Sequence, residues 1–264
     1  MKQTYIFVLL GFSGLLTGQY SEQIVSGRPG QSIPAATVGR GVYQVQTGLN
    51  LDWTLRDGGN LLDLTETTDL RIGLLKWLEL SAIVAGAADE FVVPPAGRRR
   101  DRGISDTQLG LLFLLLENDG WRPALALRGH ALLRVQDEDF RRAGTGSNFI
   151  LAAAWNLTDA LALTANLART YPGDGSRSDD WVTTLDISLS DRWGAFAESY
   201  GTLTGVATAN YDGGFSYLAA DDLAFDLSAG WDGDYGERSW FLDFGVSFRV
   251  VARTRAAAAA DRAR

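Results

Sequence analysis

Residues 42–55 read VYQVQTGLNLDWTL. In an extended chain Tyr43, Val45, Thr47, Leu49, Leu51, Trp53 and Leu55 fall on one face, and Gln44, Gln46, Gly48, Asn50, Asp52 and Thr54 on the other. A helix, with its period of 3.6, would mix the two sets. The stretch is therefore a strand with one apolar and one polar face. The same period of two returns along the chain. Leu70, Ile72 and Leu74 alternate with Asp69, Arg71 and Gly73, and Leu78, Leu80 and Ala82 with Glu79 and Ser81. Further runs start near Leu109, Leu125, Phe149, Leu161, Trp181, Tyr211, Leu223 and Trp240. Residues 194–201 are ambiguous, because Phe196, Glu198 and Tyr200 share a face. The pattern predicts about twelve strands, mostly ~9–13 residues long, the length that a tilted strand needs to cross a bilayer.

Alternation leaves open which face points inward. A soluble barrel or sandwich hides its apolar face, whereas a membrane barrel turns it toward lipid. The tryptophans decide. Trp53, Trp181, Trp231 and Trp240 fall at one set of strand ends, and Trp77, Trp121, Trp155 and Trp193 at the other. Indole sits best at a bilayer interface, its ring in hydrocarbon and its N–H among wet headgroups. Two such rows are an aromatic girdle read in sequence. The expected fold is all-β: a transmembrane antiparallel up-and-down β-barrel of about 12 strands, preceded by a signal peptide.

The chain has 264 residues, 46% hydrophobic, with a formal charge of −8, no Cys and one His. The acidic balance excludes a nucleic-acid binder, which needs a basic face. Lack of Cys excludes disulfides, thiol catalysis and Cys-based zinc sites, and a single His argues against His-rich metal sites. We expect no cofactor and no metal. No run of about 20 apolar residues is present, so no spanning helix is expected.

Four segments follow. Residues 1–18, with Lys2 ahead of the apolar Tyr5–Leu16 stretch, read as a signal peptide. Residues 19–40 are polar, with Pro29 and Pro34, and either lie in the periplasm or partly plug the lumen. Residues 41–250 form the barrel, and residues 251–264 an Ala- and Arg-rich periplasmic tail. Longer connections are expected after odd strands, including Ala88–Ile104, Gln136–Ser147 and Tyr171–Asp180, and short turns after even ones. That alternation puts both termini in the periplasm of a Gram-negative cell. The last strand, Asp243–Val250, has the polar, glycine and aromatic spacing of a signal for the barrel-assembly machinery. Arg98, Arg99, Arg100 and Arg102 suit lipopolysaccharide phosphates, or a plain solvated loop.

Several fragments together resemble a known family. They are Val38-Gly39-Arg40-Gly41 leading into Tyr43–Gly48, Leu70–Leu74 leading into Leu78-Glu79-Leu80, Gly103–Thr107, Leu223–Leu227 and Gly245–Arg249. In order and spacing they resemble the outer-membrane transporters named for the MetA (meta-cleavage) pathway of phenol degradation. The chain departs from that pattern at Gln46, where the family often has Glu, and after strand five, where Arg134-Val135-Gln136 replaces Pro-Thr-Gly. The resemblance implies a transporter-like barrel without fixing its cargo, and the function expected of the chain is passive passage of small molecules, hydrophobic or aromatic ones included, without a bound energy source.

The lumen-lining polar candidates are Gln44, Gln46, Asp52, Asp69, Arg71, Glu79, Asp106, Arg128, His130, Asp186, Asp226, Asp243 and Arg249. They would form either a charged constriction for a small-molecule solute or a network of pairs filling a narrow interior. Two other classes compete with the channel. One is a non-conducting structural or adhesion barrel acting through its external loops. The other is an outer-membrane enzyme, which would need a serine near His130. Leu132 stands two positions along, and no serine or asparagine partner is evident nearby in the sequence.

Overall fold

The computed structural model describes residues 21–56, 59–93, 97–232 and 238–252. Among them are twelve strands: β1 (Val42–Arg56), β2 (Gly59–Leu75), β3 (Leu78–Val93), β4 (Gly97–Leu116), β5 (Ala124–Leu132), β6 (Gly146–Asn156), β7 (Leu161–Tyr171), β8 (Ser178–Ser188), β9 (Trp193–Thr202), β10 (Asn210–Ala220), β11 (Leu223–Asp232) and β12 (Arg238–Val251). Each strand pairs antiparallel with its sequence neighbours, and β12 returns to β1, closing the barrel. The closing seam runs from Val42 opposite Val251 to Leu55 opposite Arg238. Closure matters because lipid offers backbone N–H and C=O groups no partner, so an open sheet edge cannot stay in hydrocarbon.

The polarity is inverted, as the placement of the tryptophans at strand ends predicts. Leu49, Leu109, Leu151, Phe215, Leu227 and Phe244 are exposed on the outside. Gln44, Arg71, Glu79, Thr184 and Ser247 are buried inside. Residues 194–201 are resolved the same way: Phe196 and Glu198 are buried, and the outward positions are the small Ala195 and Ala197. The start of β1 and the β2–β3, β4–β5, β6–β7, β8–β9 and β10–β11 turns share one end, the turn end, opposite the loop end. Trp53, Trp240 and Trp231 are in register across β1, β12 and β11 near the loop end, and the last two stack at 5.5 Å. Trp181 also lies toward that end, near the start of β8. Trp193 packs on Tyr217 at 4.7 Å and Trp77 on Phe113 at 6.3 Å at the turn end. Trp155 ends β6 there, and Trp121 stands in the β4–β5 turn, largely exposed.

Three expectations need correction. Ala88–Ile104 is not a loop. Its described part completes β3 and opens β4, in register from Ala88 opposite Arg102 to Val93 opposite Gly97. Likewise β2 begins at Gly59, well before Leu70. In both hairpins the ladder continues where polar residues blur the alternation, because backbone pairing does not need apolar side chains. The strands accordingly reach 20 residues in β4. Long and short connections alternate only in part, since β1–β2 and β3–β4 are tight hairpins. The proposed signal peptide (1–18) and the tail from residue 253 lie outside the described residues.

Among the described residues, one charge interrupts the outer face between the two tryptophan levels. Glu66 sits outward, opposite Leu49 and thus between the two tryptophan levels. Its carboxylate accepts from the Thr47 hydroxyl at 2.7 Å and lies 2.6 Å from the Thr68 hydroxyl. A carboxylate facing hydrocarbon is costly even with two hydroxyl partners. Glu66→Leu should therefore stabilise the barrel by ~1–2 kcal/mol, whereas Phe244→Arg on the same outer face should cost ~2–4 kcal/mol. Denaturant unfolding in phospholipid vesicles measures both, and an unchanged or lowered stability for Glu66→Leu would contradict the placement of this face in lipid.

Candidate functional site

The lumen is organised around residues 21–41. This segment runs inside the barrel, and its polar groups meet the inward side chains of many strands. At the closing seam Arg28 pairs with Asp226 at 3.2 Å and with Asp243. Gly48 and Gly245 face each other across β1 and β12, and a Cβ at either would overlap the Arg28 side chain. The two glycines form the slot in which Arg28 lies. Beside it the Ser26 and Ser247 hydroxyls are 2.8 Å apart, and the Gln44 amide donates to the Val25 carbonyl at 2.9 Å. The Gln46 amide group sits 3.0 Å from the Gly27 nitrogen.

Further along, the chain turns at Gly30, whose φ of 98° suits glycine. The turn is held by one carboxylate. Glu198 accepts from the backbone N–H of Gln31 at 2.6 Å and of Ser32 at 3.1 Å, and from the Thr184 hydroxyl at 2.5 Å. Asn166 then grips Ile33 twice, accepting from its N–H at 2.7 Å and donating to its carbonyl at 3.2 Å. Ile33 and Ala35 pack on Leu112, Ala126 and Ala152, an apolar patch on the inner face of β4–β6. Glu79 accepts from the Val38 N–H at 2.8 Å and is clamped by Arg71 at 2.6 and 2.9 Å. Near the turn end Arg249 donates to the carbonyls of Ser21, Glu22 and Gln23 and pairs with Asp222 at 2.6 Å.

A second group lies toward the loop end. Arg128 pairs with Asp69 at 2.7 Å, and Arg142 with Asp106 at 2.7 Å. The register also brings Ser81 of β3 within 2.8 Å of His130 Nε2, a partner the sequence did not reveal. The same nitrogen receives the Arg128 Nε–H at 3.2 Å. Nε2 is thus already an acceptor for a cation, and Ser81 is buried, so the pair is poorly arranged for nucleophilic attack. Asp52 accepts from Ser239 and Thr54. Asp186 is exposed to an internal space and stands apart from these networks. The sequence candidates therefore fall into a seam-and-segment group, a loop-end group and Asp186 by itself. Sequence reasoning missed Ser26, Arg28, Ser81, Asn166 and Glu198. For Glu198, the small outward residues Ala195 and Ala197 beside it were a readable sign of orientation.

The segment leaves several cavities. One of about 490 Å³ lies on its loop-end side, bounded by Asp69, Arg128, His130, Arg142, Ile150 and Thr170 among others. Another of about 580 Å³ opens at the turn end beside Lys76, Glu117 and Asn118.

The family model described as "Putative MetA-pathway of phenol degradation" matches residues 26–250. The chain belongs to this family. No curated protein matches it. Among solved structures it is similar to the COG4313 outer membrane channel from Pseudomonas putida F1, at 10% identity and a TM-score of 0.65, over 84% of this chain and 100% of that one. It is also similar to the KdgM porin, at 11% identity and a TM-score of 0.50, over 76% and 98%. The transport unit of the autotransporter AIDA-I from Escherichia coli matches at 10% identity and a TM-score of 0.50, over 79% and 90%. At these identities the likeness is one of fold.

If Arg28 anchors the segment, Arg28→Ala should lower its amide protection while the strands stay protected. Loss of its two charge-assisted contacts, with Asp226 and Asp243, corresponds to at least about tenfold in exchange rate for residues 24–38. Hydrogen exchange of the vesicle-embedded barrel reads this, and protection equal to the parent chain would rule the anchor out.

Proposed function

We propose that the chain is an outer-membrane channel through which small molecules, hydrophobic and aromatic ones included, pass without a bound energy source. The observation that carries this reading is the lumen: a closed, inside-polar barrel whose interior holds sizeable cavities beside a segment that forms no strand of the wall and is seated by side-chain contacts. Membership of the phenol-degradation family supports it, as does likeness to a structure titled an outer membrane channel. In this reading both termini face the periplasm, the segment is a partial plug, and the lumen-facing side chains serve first to seat it. The last strand engages the barrel-assembly machinery, and the arginines from Arg98 to Arg102 meet lipopolysaccharide at the loop end. The buried arrangement of Ser81 and His130 favours a structural over an enzymatic role for them.

Heat-modifiable migration in the outer-membrane fraction is expected, and a soluble periplasmic protein would refute the reading. Reconstituted barrel should admit small solutes in liposome swelling; a barrel that never does so is a structural or adhesion protein. A chain lacking residues 21–40 should conduct several-fold better in planar bilayers. Equal conductance with and without the segment would dismiss its role as a plug.

A further inference from the structure

The segment seals the lumen unevenly. Toward β11, β12, β1 and β3 it is tied by Arg28 to Asp226 and Asp243, by Gln44 to Val25 and by Glu79 to Val38. Toward β4–β6 the apolar patch around Leu112 closes against Ile33 and Ala35. The 580 Å³ turn-end cavity on that side shares no lining residue with the 490 Å³ cavity above. Toward β7–β10 the segment is also held, by Asn166 at Ile33 and by Glu198 at Gln31 and Ser32, but there a row of spaces runs beside it. A narrow cavity of about 120 Å³ lies between the segment and Thr164, Asp186, Phe196 and Ser216. It shares Gly27, Arg28, Ser32 and Pro34 with the 490 Å³ cavity. It shares Ser26, Arg28 and Ser216 with a cavity of about 260 Å³ that reaches the β8–β9 turn at Ser190–Arg192. Three spaces thus follow one another from the loop-end chamber to the turn end, and the middle one is the tightest.

Asp186 stands in that neck. Its side chain is exposed to the space, and it has no hydrogen bond or ion pair among the described residues. The surrounding acids are engaged: Glu198 by the segment and Thr184, Asp226 and Asp243 by Arg28. A lone carboxylate in a narrow, low-dielectric passage acts on whatever ion or dipole shares it.

Resting on the channel reading above, we propose that solutes pass the segment on its β7–β10 side and that Asp186 sets the charge preference of the neck, admitting neutral and cationic small molecules over anions. The same carboxylate disfavours carboxylate- and phosphate-bearing solutes by like-charge repulsion. Movement of the Gly27–Pro34 turn widens the neck, because that turn forms the partition between the upper and middle spaces.

The test uses the full chain in planar bilayers under a KCl gradient, with D186N and D186R. Reversal potentials should show the potassium-to-chloride permeability ratio falling by about twofold or more in D186N and further in D186R. Identical reversal potentials in all three proteins would overturn the assignment. The chain has no Cys, so D186C supplies a unique thiol. A charged, water-soluble thiol reagent added to intact vesicles should modify it and reduce the current, whereas a thiol that stays unreacted would overturn the path. A parent chain that carries no current while the D186C thiol reacts would sink the channel reading and leave the aqueous path intact, which separates the two failures.

Discussion

Everything in this molecule depends on pairing β12 with β1. Backbone polar groups in hydrocarbon have no water to turn to, so a sheet can enter a membrane only by closing. Lipid around the closed sheet imposes the inversion seen here. The pleat sends alternate side chains to opposite faces, so an apolar exterior such as Leu49, Phe215 and Phe244 brings with it an interior of the intervening residues. Those intervening residues are Gln44, Arg71, Glu79, Glu198, Asp226 and Arg249. A twelve-stranded lumen is narrow, and charges placed in it must find partners or water.

The segment of residues 21–41 meets that demand. An extended chain with few bonds of its own carries free N–H and C=O groups, and the inner wall offers complementary ones. Carboxylates and amides take its N–H groups, as Glu198, Asn166 and Glu79 do for residues 31–33 and 38. Arginines take its carbonyls, as Arg249 and Arg71 do. Arg28 of the segment meets a pair of aspartates across a slot made by two glycines. Gly48 and Gly245 are there because any side chain would occupy the guanidinium's place.

The fold was legible because its determinants are local and periodic. Alternation over 42–55, 109–115 and 240–250 reads directly as strands, and tryptophans at strand ends read as bilayer edges. The hairpin extensions at 59–69 and 88–104 were not legible, because polar residues such as Thr65, Glu66 and Thr67 break the alternation while the backbone ladder continues. The inward set was also readable from parity, which places Gln44, Arg71 and Arg128 without knowledge of any partner. The partners were not readable. Ser81 meets His130 only through the registers of β3 with β4 and β4 with β5. Arg28 meets Asp226 across 198 positions. Contacts of that range depend on closure, and no window of sequence contains them.

The chemistry that seats the segment also allows it to leave. A neutral hydrogen bond exchanged for one with water changes free energy by only about 0.5–1.5 kcal/mol, and a charge-assisted one by roughly 1.5–3 kcal/mol. A lumen that opens also fills with water, which solvates the acids and arginines left behind. Each segment residue released regains backbone entropy worth about 1–2 kcal/mol. Loss of the contacts and gain of freedom thus run in opposite directions and at similar size. The apolar contact of Ile33 and Ala35 with Leu112, Ala126 and Ala152 is the part that water cannot replace. The contact at residues 33–35 is thus the one that water cannot replace, whereas the contacts of the Gly27–Ser32 turn, the Arg28 ion pairs included, are polar ones that water can take over. Partial displacement pivoting on that apolar contact would widen the β7–β10 side first, with the β4–β6 side still closed.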